Sequence, residues 1–455
     1  MEPVLERVEE DSLDPTLAST ETFARAGAGT PLWRDWAWRE RIGVGRPCVK
    51  EQGIAVVLRY MGTKRHMAEP VREAVIGLDP KGRVVDLFSG MGSVTESLAS
   101  FRSVTANDAF NFACSIARAR FTGSERPTKP AVAAARIRDN YLERLAQLVQ
   151  THGTQLSVES DALAGGLDAL KKYVDTALHA ANSPSARRSA RSAAETGGLA
   201  HYELATLYFS AGYLSLQQAI EADAIRAAID ADGAPDERDW LLGAWIVALS
   251  AVLNAPGHTA QFLRPNSQAS YRRVSATWRR SLWQEFEASL ERLSQVGTDD
   301  WRAANRVRQG DALDYLVGGN DADLGLIYAD PPYTKDHYSR YYHLYETLYK
   351  YDYPDAIGQG RVRSDRFHTL FSVKTGVAAS FHALCRGASR LGVPLVISYP
   401  ASGLLESAGG SVYEIASSYY RSVEIRSLDA AHSTMGASKG VSKKNTVENL
   451  YLCTT

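Results

Sequence analysis

The stretch Arg83-Val84-Val85-Asp86-Leu87-Phe88-Ser89-Gly90-Met91-Gly92-Ser93-Val94 decides the fold class. A short β-branched strand runs into a glycine-punctuated loop, and Val94 and Leu98 then fall at helical spacing. Strand, glycine loop and helix, in that order, open a nucleotide-binding α/β unit. A nicotinamide-dinucleotide fingerprint needs a third glycine that does not follow Gly90 and Gly92 here. Asp86 at the strand end suits a cationic amino-acid moiety instead, and glycines let the backbone approach a ligand closely. A second strand, 103–107, ends at Asp108, where a carboxylate can accept hydrogen bonds from ribose hydroxyls. Helix capping is the competing reading of both aspartates.

Working outward, Val56-Val57-Leu58 and Tyr60-Met61-Gly62-Thr63-Lys64 precede a helix-like stretch that ends near Leu78. Residues 1–50 have few periodic apolar positions and read as an arm or leader. From about 127 to 305 the texture is helical and alanine-rich, with a Ser/Ala/Arg/Gly loop expected over 181–198. Helices are expected over 207–229, 240–253 and about 277–293, with a loop or hairpin over 262–274. The α/β rhythm returns with strands near Val307, over Leu324 to Ala329, over Leu395 to Tyr399, and in two late antiparallel-type segments. The resulting architecture is one α/β sheet domain, 51–126 plus 306–455, interrupted by a mostly helical segment, 127–305.

The buried strand over Leu324 to Ala329 leads straight into Asp330-Pro331-Pro332-Tyr333. Two prolines remove two backbone donors and stiffen the chain, so the strand ends there. Asp330 and Tyr333 are thereby held on a rigid corner at the carboxyl edge of the sheet, where α/β proteins bind ligands. An aryl amine is a poor nucleophile because its lone pair is delocalised into the ring. A carboxylate and a backbone carbonyl accepting its two hydrogens localise that pair, and a tyrosine offers a stacking face to a base taken out of a duplex. The segment beyond, His337-Tyr338-Ser339-Arg340-Tyr341-Tyr342-His343-Leu344-Tyr345, is rich in tyrosine, histidine and arginine. It suits contact with bases and phosphates, or equally an amphipathic helix that buries Leu344 and Leu348.

In motif order the chain resembles the Dam-like, alpha-class group of DNA N6-adenine methyltransferases. The resemblance is carried by 60–64, by Asp86 to Gly92, by Asn107-Asp108, by Gly310-Asp311, by Ile327 to Tyr333 and by the tail from His432 through Lys439 to Leu450. It implies a Rossmann-like fold using S-adenosyl-L-methionine, with Tyr60, Lys64, Asp86, Phe88, Gly90, Gly92, Asp108, Asp311 and Asp330 at the cofactor. It implies catalysis by Asp330, Pro331, Pro332 and Tyr333 on a flipped adenine of double-stranded DNA, with 127–305 as the target-recognition part. Contacts to DNA are expected from Arg264, Arg272, Arg273, Arg279, Arg280, Tyr338, Arg340 and Lys439. A cytoplasmic, nucleoid-associated setting and a restriction or defence partner go with the same resemblance. Where that family's closing segment often carries arginine, this chain offers His432 or Lys439.

The bulk properties of the 455-residue chain are those of a soluble globular protein, with 45% hydrophobic and 23% charged residues. A net charge of −1 means that any grip on nucleic acid must come from local clusters rather than the overall field. Arg361, Arg363 and Arg366 form one such cluster, each equally readable as part of a solvated face. No apolar run approaches the roughly 20 residues of a membrane helix, and the acidic start predicts no secretory leader. Cys48, Cys114, Cys385 and Cys453 are too scattered for a disulfide framework or a zinc site, so no metal is expected. Cytosine N4, RNA adenine and a non-catalytic DNA-binding subunit stand as alternatives on the same fold.

Overall fold

The computed structural model describes residues 58, 65–99, 101–123, 129–181, 184–197, 201–318, 322–432 and 444–455. The expected arm over 1–50 lies outside them, as do Cys48, Tyr60, Lys64 and Lys439. The strands are β1 (Arg83–Asp86), β2 (Val104–Asp108), β3 (Arg306–Gln309), β4 (Leu324–Ala329), β5 (Ala356–Ile357), β6 (Val362–Arg363), β7 (Leu395–Pro400), β8 (Ser422–His432) and β9 (Lys444–Thr454). Seven of them form one sheet in the order β3-β2-β1-β4-β7-β9-β8, and β5 and β6 pair as a separate hairpin. The first five run parallel, and β9 lies antiparallel between β7 and β8. This is the α/β, Rossmann-like sheet that was expected.

The two-residue period of a strand assigns neighbours to opposite faces. Val84, Leu326 and Val396 pack with Met67, Val71 and Val94 on one side. Val85, Ile327 and Ile397 pack with Leu316, Phe381 and Leu384 on the other. Helices cover both faces, which is why the parallel strands read as continuous apolar runs. The edge strand β3 is Arg-Val-Arg-Gln with both ends exposed, and charge at an edge discourages further strand pairing.

Between β2 and β3 the chain passes through helix Asn111–Phe121 and then, among the described residues, eight more α-helices over 130–292 before Asp299–Ala304 returns it to the sheet. The two ends of this excursion are clasped together. Asn305 Nδ2 donates to the Phe121 carbonyl (2.9 Å), its Oδ1 accepts from Val104 N (2.7 Å), and Arg302 Nε donates to the Gly123 carbonyl (3.2 Å). Buried Arg83 adds bonds to the Asp323 carboxylate (3.0 and 3.3 Å) and to the Ala304 carbonyl (2.6 Å). The register of β3 against β2 is therefore set by side chains at the junction.

Buried carboxylates tie the helices to one another. Glu159 accepts from Leu216 N (2.6 Å) and Gln217 N (3.2 Å), at the start of helix Leu216–Asp230. Glu221 accepts from Leu282 N (2.6 Å) and Trp283 N (3.2 Å), at the start of Leu282–Arg292. Asp223 takes Ala205 N (2.8 Å) and Thr206 N (2.9 Å), at the start of Leu204–Phe209. Glu346, beyond β4, takes Asn111 N (2.9 Å) and Asn111 Nδ2 (2.7 Å). The first turn of a helix carries unsatisfied N–H groups and partial positive charge, so each acid satisfies both at once.

Three expectations are corrected here. The stretch 207–229 is two helices, because Ala211 takes φ 54 and Ser215 opens the second with a reciprocal cap to Gln218. The expected loop over 181–198 contains a helix, Pro184–Thr196, started by a proline whose fixed φ suits the first turn. The expected hairpin over 262–274 gives way to helix Gln268–Trp278, capped by Ser267 and Ser270, with the following helix at Leu282–Arg292. Cys114, Cys385 and Cys453 are buried and unpaired, and the described residues contain no metal-binding cluster. No described helix is long and apolar enough to cross a membrane.

Candidate active site

A cleft opens at the carboxyl ends of β1, β2 and β4, and Asp86, Asp108 and Asp330 all line it. The loop after β1 is held from both sides. Leu87 N donates to the Tyr328 carbonyl (3.0 Å) and Ser89 N to the Asn107 carbonyl (2.9 Å). Asn107 Nδ2 donates in turn to the Leu87 carbonyl (3.0 Å). Asp108 accepts from Gly90 N (2.9 Å) and Phe110 N (2.8 Å), so it fixes the glycine loop and starts the next helix. Gly90 has φ 51 and Gly92 has φ 75, in the left-handed region that side chains rarely enter. A Cβ on Gly92 would sit 2.2 Å from Phe121. Gly92, expected at the cofactor, is not among the cleft-lining residues, and its need for glycine is explained by turn and packing.

The electrostatics of the cleft are dominated by buried carboxylates. Asp86 is 1% exposed, and burial pushes its carboxyl up to about 7, with Asp330 and Asp108 adding like-charge repulsion. Thr95 Oγ1 donates to Asp86 Oδ2 (3.0 Å), while buried Oδ1 has no hydrogen-bond partner in the structure. Burial also lifts Asp108 to about 6, against the pull of its two backbone donors. An acidic pocket with an unmatched carboxylate oxygen is matched by a cationic ligand. Phe88 meets Phe371 edge-to-face at 5.6 Å and forms part of the same wall. Asp311 lines the cleft too, and its Oδ1 accepts from Leu313 N (2.7 Å), which caps helix Ala312–Gly318.

Pro331, Pro332 and Tyr333 follow Asp330 around the end of β4 and line the same cleft, and the Tyr333 carbonyl accepts from Leu404 N (2.9 Å). Ser398 on β7 donates to Asp330 Oδ1 (3.0 Å) and lies 2.9 Å from the buried Tyr328 hydroxyl. This Tyr328–Ser398–Asp330 chain was not foreseen from sequence. Its members lie on two strands that are neighbours only in the folded sheet. Glu346 was missed in the same way, since nothing local marks it as a cap for a helix 235 positions away.

The basic residues divide clearly. Tyr338 lines the cleft and Arg340 is exposed close by. Arg264 pairs with Asp175 and Gln359, and Arg272 is exposed. Arg273, Arg279 and Arg280 donate to the carbonyls of Ala255 (3.4 Å), Leu163 (3.4 Å) and Ala251 (2.7 Å). None of these five arginines lines the cleft. Arg361 and Arg363, expected in a basic cluster open to nucleic acid or to solvent, are instead 3% and 2% exposed. Arg363 is neutralised by Asp352 and Asp365, both at 2.8 Å, and Arg361 donates to the carbonyls of Tyr208 and Ser210.

No protein-family model matches the chain. The chain is similar to modification methylase LlaI of Lactococcus lactis subsp. lactis, with 23% identity over 337 residues covering 72% of this chain. The match takes in 44% of that relative, so the chain spans less than half of its length.

Proposed function

We propose that this chain is a DNA methyltransferase that uses S-adenosyl-L-methionine to methylate the N6 amino group of adenine. The observation that carries the reading is the meeting of three aspartates and the Pro-Pro-Tyr corner in one cleft at the carboxyl edge of the sheet. The similarity to a modification methylase agrees with it and favours a restriction-modification setting.

The cofactor brings a methyl group on a cationic sulfonium, together with an ammonium and a ribose. The residues present fit such a group, since the unmatched Oδ1 of Asp86 offers an acceptor inside an acidic pocket. Asp86 would hold the cationic amino-acid end, Phe88 and Asp311 would line the base end, and Asp108 would offer a carboxylate to the ribose. Asp330 accepts one hydrogen of the target amine while a carbonyl of the proline corner accepts the other. The lone pair is thereby turned towards the methyl donor, and Ser398 keeps the carboxylate in register. Tyr333 and Tyr338 provide aromatic surface for a base that has left the duplex. Residues 127–305 supply target recognition, with Arg272, Arg273, Arg279 and Arg280 exposed along one part of it.

The test is to incubate purified protein with S-adenosyl-L-methionine and genomic DNA, then digest and identify the modified nucleoside by mass spectrometry. N6-methyladenine is the expected product. N4-methylcytosine, or methylation of RNA alone, would replace the substrate assignment. Binding of DNA without any transfer would replace the enzyme by a non-catalytic subunit.

A further inference from the structure

Two segments distant in sequence converge at the mouth of the cleft. One follows the proline corner and carries His337, Tyr338 and Arg340. The other follows the β5–β6 hairpin and carries Arg366, Phe367 and His368. The rings of His337 and His368 lie 4.9 Å apart, and Arg366 Nη1 donates to Ser339 Oγ at 3.0 Å. His337, Tyr338, Ser339 and Phe367 share the cleft wall with Asp330.

The charge here is not neutralised as it is nearby. Arg363, three positions before Arg366, is flanked by two carboxylates, whereas Arg366 bonds to a hydroxyl. Burial and then the neighbouring Arg340 hold the Arg366 guanidinium below its ordinary value. Burial, Arg366 and His368 do the same for the His337 imidazole. Asp336 is the acid that acts on His337, and it is shared with the Tyr341 hydroxyl. Two guanidinium groups crowded beside imidazole and aromatic rings, at a rim that leads to an acidic interior, are arranged for a ligand with an anionic part outside and a planar part inside.

We propose that Arg340, Arg366, His337 and His368 form a phosphate-binding site, which takes the backbone phosphate of the nucleotide whose base enters the cleft. The site rests on the nucleic-acid reading above and deepens it. It places the anchor for the target strand on the sheet side of the molecule, beside the chemistry, rather than on the arginines of 264–280. Arg340 and Arg366 contact the phosphate directly, and the paired histidines line its inner side. The extruded nucleotide is thereby held at its phosphate while its base is held at the aspartate.

The test uses the double variant R340Q/R366Q and its charge-preserving control R340K/R366K. Binding of a fluorescent 30-base-pair duplex is measured across a salt series, and labelled methyl transfer to genomic DNA is measured across DNA concentration. For the glutamine variant the log–log salt slope should become shallower by about one to two. The DNA concentration for half-maximal transfer should rise at least tenfold, with affinity for S-adenosyl-L-methionine unchanged. The lysine variant should stay near wild type in slope. An unchanged slope and half-saturation in the glutamine variant would overturn the site. If wild-type protein transferred no methyl group, the proposed function would fall, and the salt slopes alone would still decide the phosphate site.

Discussion

Two sets of buried carboxylates serve opposite ends in this molecule. In the helical segment, Glu159, Glu221 and Asp223 each accept from backbone N–H groups at the start of another helix. Asp223 also takes the Tyr351 hydroxyl, and so has donors on both oxygens. At the sheet edge, Asp86 takes the Thr95 hydroxyl and feels the pull of the Phe88 backbone N–H, while its buried Oδ1 makes no hydrogen bond. Burial raises both groups, Asp223 to about 6 and Asp86 to about 7. The helical acids are spent on holding the fold, whereas Asp86 retains unsatisfied capacity facing a cleft. A buried acid with matched donors stabilises, and one left unmatched is available to a ligand at a cost to the ligand-free protein.

The contrast can be broken by experiment. The largest effect is expected at Asp330→Ala, where methyl transfer should fall by roughly a thousandfold or more, the scale of a lost transition-state contact. Labelled-methyl assays check this, and near-wild-type activity would remove Asp330 from the mechanism. Next comes Asp223→Asn, which turns an amide donor towards backbone donors and should destabilise the fold by about 2–4 kcal/mol in urea melts.

The same substitution at Asp86 should run the other way. Because its folded-state value is raised, Asp86 contributes stability that is present at acid pH and lost as pH rises through about 7. Asp86→Asn should therefore melt higher than wild type at pH 8, by about 1–2 kcal/mol, and show less loss of stability between pH 5 and 8. It should also bind S-adenosyl-L-methionine about 10–100-fold more weakly by calorimetry at pH 8. Wild-type affinity should decline below about pH 7, as the carboxylate protonates, while that of the variant stays flat. Equal destabilisation by the two Asp→Asn changes would erase the distinction. The smallest effect belongs to Ser398→Ala, which frees Asp330 Oδ1 and should lower the turnover rate about threefold to tenfold with little change in half-saturation, threonine restoring it.

What the sequence determined by itself is local and periodic. The alternation in Val84-Val85, the glycine loop, the acids that end β1, β2 and β4, and the proline corner are each written in a few adjacent residues. Backbone geometry and solvent exposure act there at short range, so the strand edge and its aspartates were legible. Only the tertiary structure decided the rest. Ser398 reaches Asp330 because β7 is hydrogen-bonded beside β4. Glu346 caps a helix that lies far back in the chain. Arg363 is buried because two acids on either side of it in sequence fold onto it, while Arg366 stays at the rim. The tyrosines after the corner also divided, with Tyr342 and Tyr353 in the core and Tyr338 on the cleft. Their identities were plain, but which partner met each charge or ring depends on long-range packing, which no short-range pattern encodes.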